Sequence, residues 1–229
     1  MVVKQTLQGL VNNDMGHLEK VEAFYNTDAE GFDDKIRKSG WLGSQVLRKT
    51  LQNTPYAVRR MLDLGAGTGN TIAVVRETVQ PQEIVAVDIS EGMLSHLREK
   101  YPDDPRITVA RTAVQDYLAG TSNHFDLITA MALFHHLPDQ AAVVAGISSR
   151  LEDGGQAMFT YDPVIHGHPI QENALTDVEE VEAIYRISPG EMEEEVRSNG
   201  LTVKHHELYV ARPNESSYVG GFIVAKKSE

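Results

Sequence analysis

The sequence predicts an α/β fold: a doubly wound, mostly parallel sheet with a C-terminal antiparallel hairpin and an N-terminal helical cap. Three observations carry this. Five short β-rich runs between residues 60 and 161 alternate with helix-like stretches. The first three runs are dense in Ile, Val and Leu rather than alternating with polar residues, as in strands covered on both faces. Gly or Pro marks nearly every junction, from Gly65-Ala66-Gly67 to Gly154-Gly155. Strands separated by helices join through right-handed crossovers into a parallel sheet.

The elements follow in order. Residues 1–50 carry no strand signal. Leu18, Val21, Phe24 and Tyr25 recur at helical spacing, as do Val46, Leu47 and Leu51, so the segment is expected to lie as a helical lid over a core of residues 51–229. The five strands are expected at Arg60–Leu64, Ile84–Asp88, Ile107–Arg111, Phe125–Ala130 and Ala157–Tyr161, with a helix opening near Thr71. An insertion of about residues 163–187 follows. There Val178, Val181, Ile184 and Tyr185 predict one more amphipathic helix, facing the substrate. Ser188-Pro189-Gly190-Glu191 then reads as a helix start, with Ser as cap, Pro at the first position and Glu three residues after the cap. Asn199-Gly200 ends that helix. Leu201–Val210 and Ser217–Lys226, joined by Arg212-Pro213-Asn214, form a hairpin closing one sheet edge.

Composition narrows the function. The chain has 229 residues, 41% hydrophobic, enough for one large domain with an appended cap. Its net charge of −12, without a Lys/Arg cluster, weighs against nucleic acid as a partner. The absence of cysteine excludes disulfides, thiolate metal sites and a Cys nucleophile. No apolar run approaches the roughly 20 residues that cross a bilayer, and Met1 to Gln5 opens no secretory stretch. The expectation is a soluble, cytoplasmic protein without a membrane partner, a monomer or homodimer.

Asp63-Leu64-Gly65-Ala66-Gly67-Thr68-Gly69 closes the first strand and opens a helix, at the sheet edge where open α/β folds bind ligands. Asn70 stands where the dinucleotide fingerprint has its third glycine, and no Gly-Lys-Ser/Thr follows for a phosphate loop. Asp63 accepts hydrogen bonds at one end. Asp88, ending the second strand, accepts from both hydroxyls of a ribose. A ribose with an ammonium-bearing tail and no phosphate fits this pattern better than a dinucleotide.

With these residues the sequence resembles the class I S-adenosylmethionine-dependent methyltransferases of the small-molecule type. The resemblance rests on Leu62 to Gly69, on Val87-Asp88-Ile89-Ser90 with Met93, and on Phe125 to Ile128 running into Leu133 to Asp139. Residues 21–33 look like the opening segment of these enzymes, with Tyr25, Ala29, Phe32 and Asp33 in place. The resemblance implies a Rossmann-like fold and S-adenosyl-L-methionine as cofactor, with S-adenosyl-L-homocysteine as product. It implies that Gly65, Ala66 and Gly67 line the methionine portion, with Asp63 near its ammonium group. Asp88 binds the ribose, Ile89 and Met93 flank the adenine with Ala113 and Val114 nearby, Ala130 and Met131 face the amino-acid end, and Tyr25 closes over the whole. The family's Asp-Ala pair after the third strand reads Thr112-Ala113 here, so the adenine amino group falls to Thr112, Gln115 or Asp116.

The acceptor side is less determined. His135 is the candidate general base, since imidazole titrates near neutral pH; His136 is expected to pack inward. Trp41, Tyr161, His166 and His168 are candidate acceptor contacts with His135. The Asp162 to His168 segment has metal-like composition but reads as a surface loop, and no metal is expected. His205-His206 and the acidic run at Glu193 are read as structural. The function expected is methyl transfer to oxygen, nitrogen or carbon of a small-molecule acceptor. The alternatives are a methyltransferase acting on a protein side chain and a non-catalytic S-adenosylmethionine or S-adenosylhomocysteine binding module. A nicotinamide oxidoreductase is disfavoured by the glycine spacing.

Overall fold

The computed structural model describes residues 7–53, 57–168, 171, 175–178, 182–213 and 218–228. Seven strands form one sheet in the order β3-β2-β1-β4-β5-β9-β8. β1 (Arg60–Leu64) lies between β2 (Glu83–Asp88) and β4 (Phe125–Ala130); β3 (Ile107–Arg111) and β5 (Leu151–Tyr161) extend the parallel part on either side. β9 (Tyr218–Lys227) runs antiparallel to β5, and β8 (Leu201–Arg212) antiparallel to β9. Two reversals make β8 run in the direction of β5, so its carboxyl end returns to the edge where the parallel strands end.

Side chains alternating across the sheet divide the core in two. On one face Leu62, Leu64, Ile128 and Phe159 pack against α6 (Val114–Gly120), α7 (Gln140–Arg150) and α8 (Pro189–Ser198). On the other, Met61, Ile84, Leu127 and Met158 meet α3 (Gly43–Gln52), α4 (Asn70–Thr78) and α5 (Glu91–Lys100). The chain turns back between β1 and β4, and the crevice opens at their carboxyl ends. Over it lie α1 (Leu7–Asp28) and α2 (Phe32–Ser39), while Leu42, just before α3, donates its N–H to the Ala211 carbonyl of β8 at 3.0 Å. Among the described residues no helix is long and apolar enough to cross a membrane.

The predicted cap of α8 forms in full. Ser188 Oγ accepts from the Glu191 N–H at 3.3 Å, and the Glu191 carboxylate accepts from the Ser188 N–H at 3.1 Å. Two expectations need correction. β5 begins at Leu151 rather than Ala157, because a register shift opposite Phe125 to Leu127 absorbs the acidic, glycine-rich Glu152 to Gly155 that reads as a turn. The amphipathic helix expected around Val178 and Ile184 is instead a two-stranded hairpin, β6 (Leu175–Val178) with β7 (Glu182–Tyr185). Tyr185 sets its ring edge-on to His17 of α1 at 5.4 Å, a contact that periodicity does not reveal. Val181, part of that expectation, lies outside the described residues, as do Asn214, Ser217 and the opening residues 1–6.

Candidate cofactor and acceptor cleft

The glycines of the loop after β1 have separate reasons. Gly65, Gly67 and Gly69 sit at φ +68°, +52° and +84°, left-handed conformations in which a side chain is strained. A Cβ on Gly65 would press on Leu133 at 3.1 Å, and one on Gly69 on Tyr101 at 2.8 Å. At Gly67 it would meet nothing within 4 Å, so the loop presents bare backbone to open space. Gly65 and Ala66 donate their N–H groups to the Val87 carbonyl at 2.8 and 3.0 Å, fixing the loop to the end of β2.

Asp88 completes the cradle. One of its oxygens accepts from the Gly67 N–H at 2.8 Å and the other from the Ser90 N–H at 2.9 Å. Each keeps a lone pair for a further donor. Burial pushes the Asp88 carboxyl up, against the lowering effect of the backbone N–H groups of Ser90, Gly67 and Ile89. Beneath the loop Asp63 is buried, accepts from Thr129 Oγ1 at 2.7 Å on one oxygen, and has no hydrogen-bond partner on the other. Burial pushes its carboxyl up to about 7, opposed by the Thr129 hydrogen bond and reinforced by the charge of Asp88. A bare backbone cradle, a carboxylate with a free lone pair on each oxygen and an orphaned buried carboxylate oxygen fit a ligand carrying a diol and an ammonium group.

The cap is tied down on both sides of this cradle. Asn26 Oδ1 accepts from Ser90 Oγ and from the Gly92 N–H, both at 2.9 Å. Asp33 accepts from Thr68 Oγ1 at 2.6 Å, Asn70 Nδ2 at 2.8 Å and Lys100 Nζ at 2.8 Å. Burial works to raise the Asp33 carboxyl, but these hydrogen bonds and the Lys100 charge hold it below the usual range. Toward β4, the Tyr25 hydroxyl meets His136 Nε2 at 2.8 Å, and His17 Nε2 meets the His136 carbonyl at 2.9 Å.

One cleft of about 1170 Å³, open solvent at its mouth included, runs along these groups. It brings together Tyr25, Gly65, Ala66, Gly67, Asp88, Ile89, Met93, Ala113, Val114, Met131, Trp41 and His135. Gln115 joins them, its amide oxygen without a hydrogen-bond partner, whereas Thr112 and Asp116 are not in the lining. Burial lowers His135 despite the nearby Asp162 carboxylate, so its imidazole is unprotonated at neutral pH. Burial, with His135 and His17 alongside, lowers His136 further. The Trp41 ring lies directly on Gly43, where a Cβ would collide with it at 2.1 Å.

Several predicted residues stand outside the lining. Asp63 and Ala130 are buried below it. Tyr161 packs into the core with Phe159 and is not in the lining: its ring covers Gly221, and its hydroxyl meets His206 Nε2 at 2.8 Å, with His206 Nδ1 on Glu193 at 2.7 Å. His166 and His168 lie in a turn closed on itself by His168 N–H to the Ile165 carbonyl, with Gly167 at φ +76°. Neither side chain is in the cleft lining. Among the described residues no three His, Asp or Glu side chains group as metal ligands. Sequence reasoning missed Asn26 and Arg212. The latter lines the cleft from the end of β8 and had a legible signal, because a hairpin closing the sheet beyond β5 must bring its turn back to the carboxyl edge.

Residues 62–157 match the family described as "Methyltransferase domain". The chain is 30% identical over 118 residues to the ubiquinone biosynthesis O-methyltransferase of Thiobacillus denitrificans, covering 50% of this chain and 49% of that protein. It is 27% identical over 154 residues to the demethylmenaquinone methyltransferase of Bacteroides fragilis, covering 65% and 62%. It thus spans about half to two thirds of the length of these curated relatives. In structure it resembles the 1,6-didemethyltoxoflavin-N1-methyltransferase of Burkholderia thailandensis, solved with 1,6-didemethyltoxoflavin and S-adenosylhomocysteine, at a TM-score of 0.72 and 15% identity over 100% of this chain and 94% of that one. The sheet order, the glycine loop and the matched segment agree: residues 62–157 are similar to a methyltransferase domain, set in the Rossmann-like fold of the solved S-adenosylmethionine-dependent methyltransferases.

Proposed function

We propose that the chain transfers a methyl group from S-adenosylmethionine to oxygen or nitrogen of a small planar acceptor. The observation that carries this reading is the single cleft, which joins the Gly67–Asp88 cradle to the aromatic wall of Phe32 and Trp41, with His135 in the same lining. The names of the relatives support it, since a ubiquinone O-methyltransferase and a toxoflavin N1-methyltransferase both work on ring compounds. Bound S-adenosylmethionine supplies a methyl carried on a positively charged sulfur, and that charge disappears as the methyl leaves.

The chain's own residues hold and align. Asp88 accepts from the ribose hydroxyls, the Gly65–Gly67 backbone lies along the methionine portion, and Asp63 offers a negative charge to the ammonium group beside the loop. Ile89, Met93, Ala113 and Val114 enclose the adenine, whose amino group falls to the Gln115 amide. Tyr25 covers the bound nucleoside from α1 and excludes water. His135, unprotonated at neutral pH, takes the proton from a phenol or ammonium acceptor through an imidazole nitrogen as the new bond forms. Fixing acceptor and methyl in line supplies most of the acceleration.

Calorimetric titration with S-adenosylhomocysteine, with NADH in parallel, tests the cofactor; transfer of labelled methyl to small phenols and heterocycles tests the reaction. Micromolar binding of the first ligand alone, followed by turnover, is the expected result. Tighter binding of NADH would overturn the reading, as would binding without transfer to any ring acceptor.

A further inference from the structure

Arg212 ends β8 at the cleft, and its cross-strand partner is Tyr218 of β9. The guanidinium carbon lies 5.6 Å from the centre of the Tyr218 ring, and the Tyr218 hydroxyl donates to the Asp162 carboxylate. The tethered Tyr218 ring attracts and steadies the guanidinium, whose forked N–H groups match a carboxylate. The same lining holds Leu18, Phe32, Ile36 and Trp41, and among the described residues Arg212 is the one Lys or Arg in it. A second guanidinium, Arg186, acts on His135 together with Arg212, against the single carboxylate of Asp162. Asp162 is bound to Tyr218 and is not part of the lining. A protein of net charge −12 therefore sets one guanidinium, Arg212, beside the apolar and aromatic side chains of the cleft.

We propose that Arg212 selects a planar acceptor bearing a carboxylate, holding that group at the β8 end of the cleft while the acceptor's hydroxyl faces His135. The inference rests on the methyl-transfer reading, since it takes the Asp88 end of the cleft as filled by the cofactor. Its chemistry is a charge-assisted pair of forked geometry, which favours a carboxylate over a neutral or cationic ring.

The test is a charge series on one scaffold. Protein saturated with S-adenosylhomocysteine is titrated near neutral pH with 3,4-dihydroxybenzoate, 3,4-dihydroxybenzamide and 3,4-dihydroxybenzylamine. The acid is expected to bind about tenfold or more tightly than the amide, and the amine most weakly. Arg212→Gln abolishes the preference for the acid while leaving S-adenosylhomocysteine affinity unchanged, and Arg212→Lys keeps part of it. Equal binding of acid and amide, preference for the amine, or binding of no probe overturns the inference, as does a preference that survives Arg212→Gln. If that variant does not fold, the wild-type series alone decides. Failure of S-adenosylhomocysteine to bind would instead refute the methyl-transfer reading, and it shows before any acceptor is added.

Discussion

The Tyr25 hydroxyl and His136 Nε2 share a hydrogen bond of 2.8 Å that joins α1 to the short 3-10 turn Phe134–His136 after β4. The two rings also meet edge to face at 5.3 Å, and Phe32 closes on the other edge of Tyr25 at 6.1 Å. His136 lines the cleft with its sequence neighbours Leu133, His135 and Leu137 and also anchors the helix above it.

Tyr25→Phe keeps the ring packing and removes only this bond. It should lower stability by about 1–2 kcal/mol, because the buried His136 imidazole is left without that partner. Thermal unfolding checks it. An unchanged melting temperature would mean that ring packing alone holds α1 in place.

Asp63 predicts a pH dependence. Its carboxyl, pushed up to about 7, takes up a proton on folding between the unfolded value near 4 and about 7. Its contribution to the stability of the ligand-free protein is present at low pH and fades as pH rises through about 7. An ammonium group favours the ionised form, so cofactor binding releases that proton. S-adenosylhomocysteine affinity should therefore rise from pH 6 to pH 8, and Asp63→Asn should flatten the rise. Parallel profiles for the two proteins would remove Asp63 from the site.

The cradle gives two separable losses. Asp88→Ala removes a charged acceptor and should weaken S-adenosylhomocysteine by about 10–100-fold. Gly67→Ala places a methyl in the open space and strains a residue at φ +52°, at about 1–2 kcal/mol of stability. Its calorimetric affinity should fall further than that strain explains. A variant that is destabilised yet binds normally would show that the ligand does not lie against Gly67.

His135→Ala should reduce turnover by about 10²–10⁴-fold on a protonated acceptor, with cofactor affinity unchanged. Full activity would return His135 to the wall of the cleft as packing.

Much of this was legible because backbone chemistry writes it locally. Three glycines at alternate positions after a buried strand announce three left-handed residues, and Ser188-Pro189 with Glu191 announces a cap. Contacts between distant segments leave no such mark. Nothing near Asn26 says that it will cap the Ser90–Gly92 turn, and nothing near Asp33 says that it will brace Thr68 and Asn70. Tyr161 stands at a strand end, which points to the cleft, whereas its ring packs into the core with Phe159 and over Gly221. At the β6–β7 hairpin, Val178 and Ile184 obey a helical period by coincidence; Ile184 in fact pairs with Thr176 across the strands.

The family match ends at residue 157, and it holds the glycine loop, Asp88 and His135. Leu18, Phe32, Ile36, Trp41 and Arg212 all come from outside it, from the two ends of the chain that meet where Leu42 bonds to Ala211. The cleft is thus built on one side from the matched segment and on the other from both ends of the chain, and side chains of the second part can change without disturbing a strand of the parallel sheet.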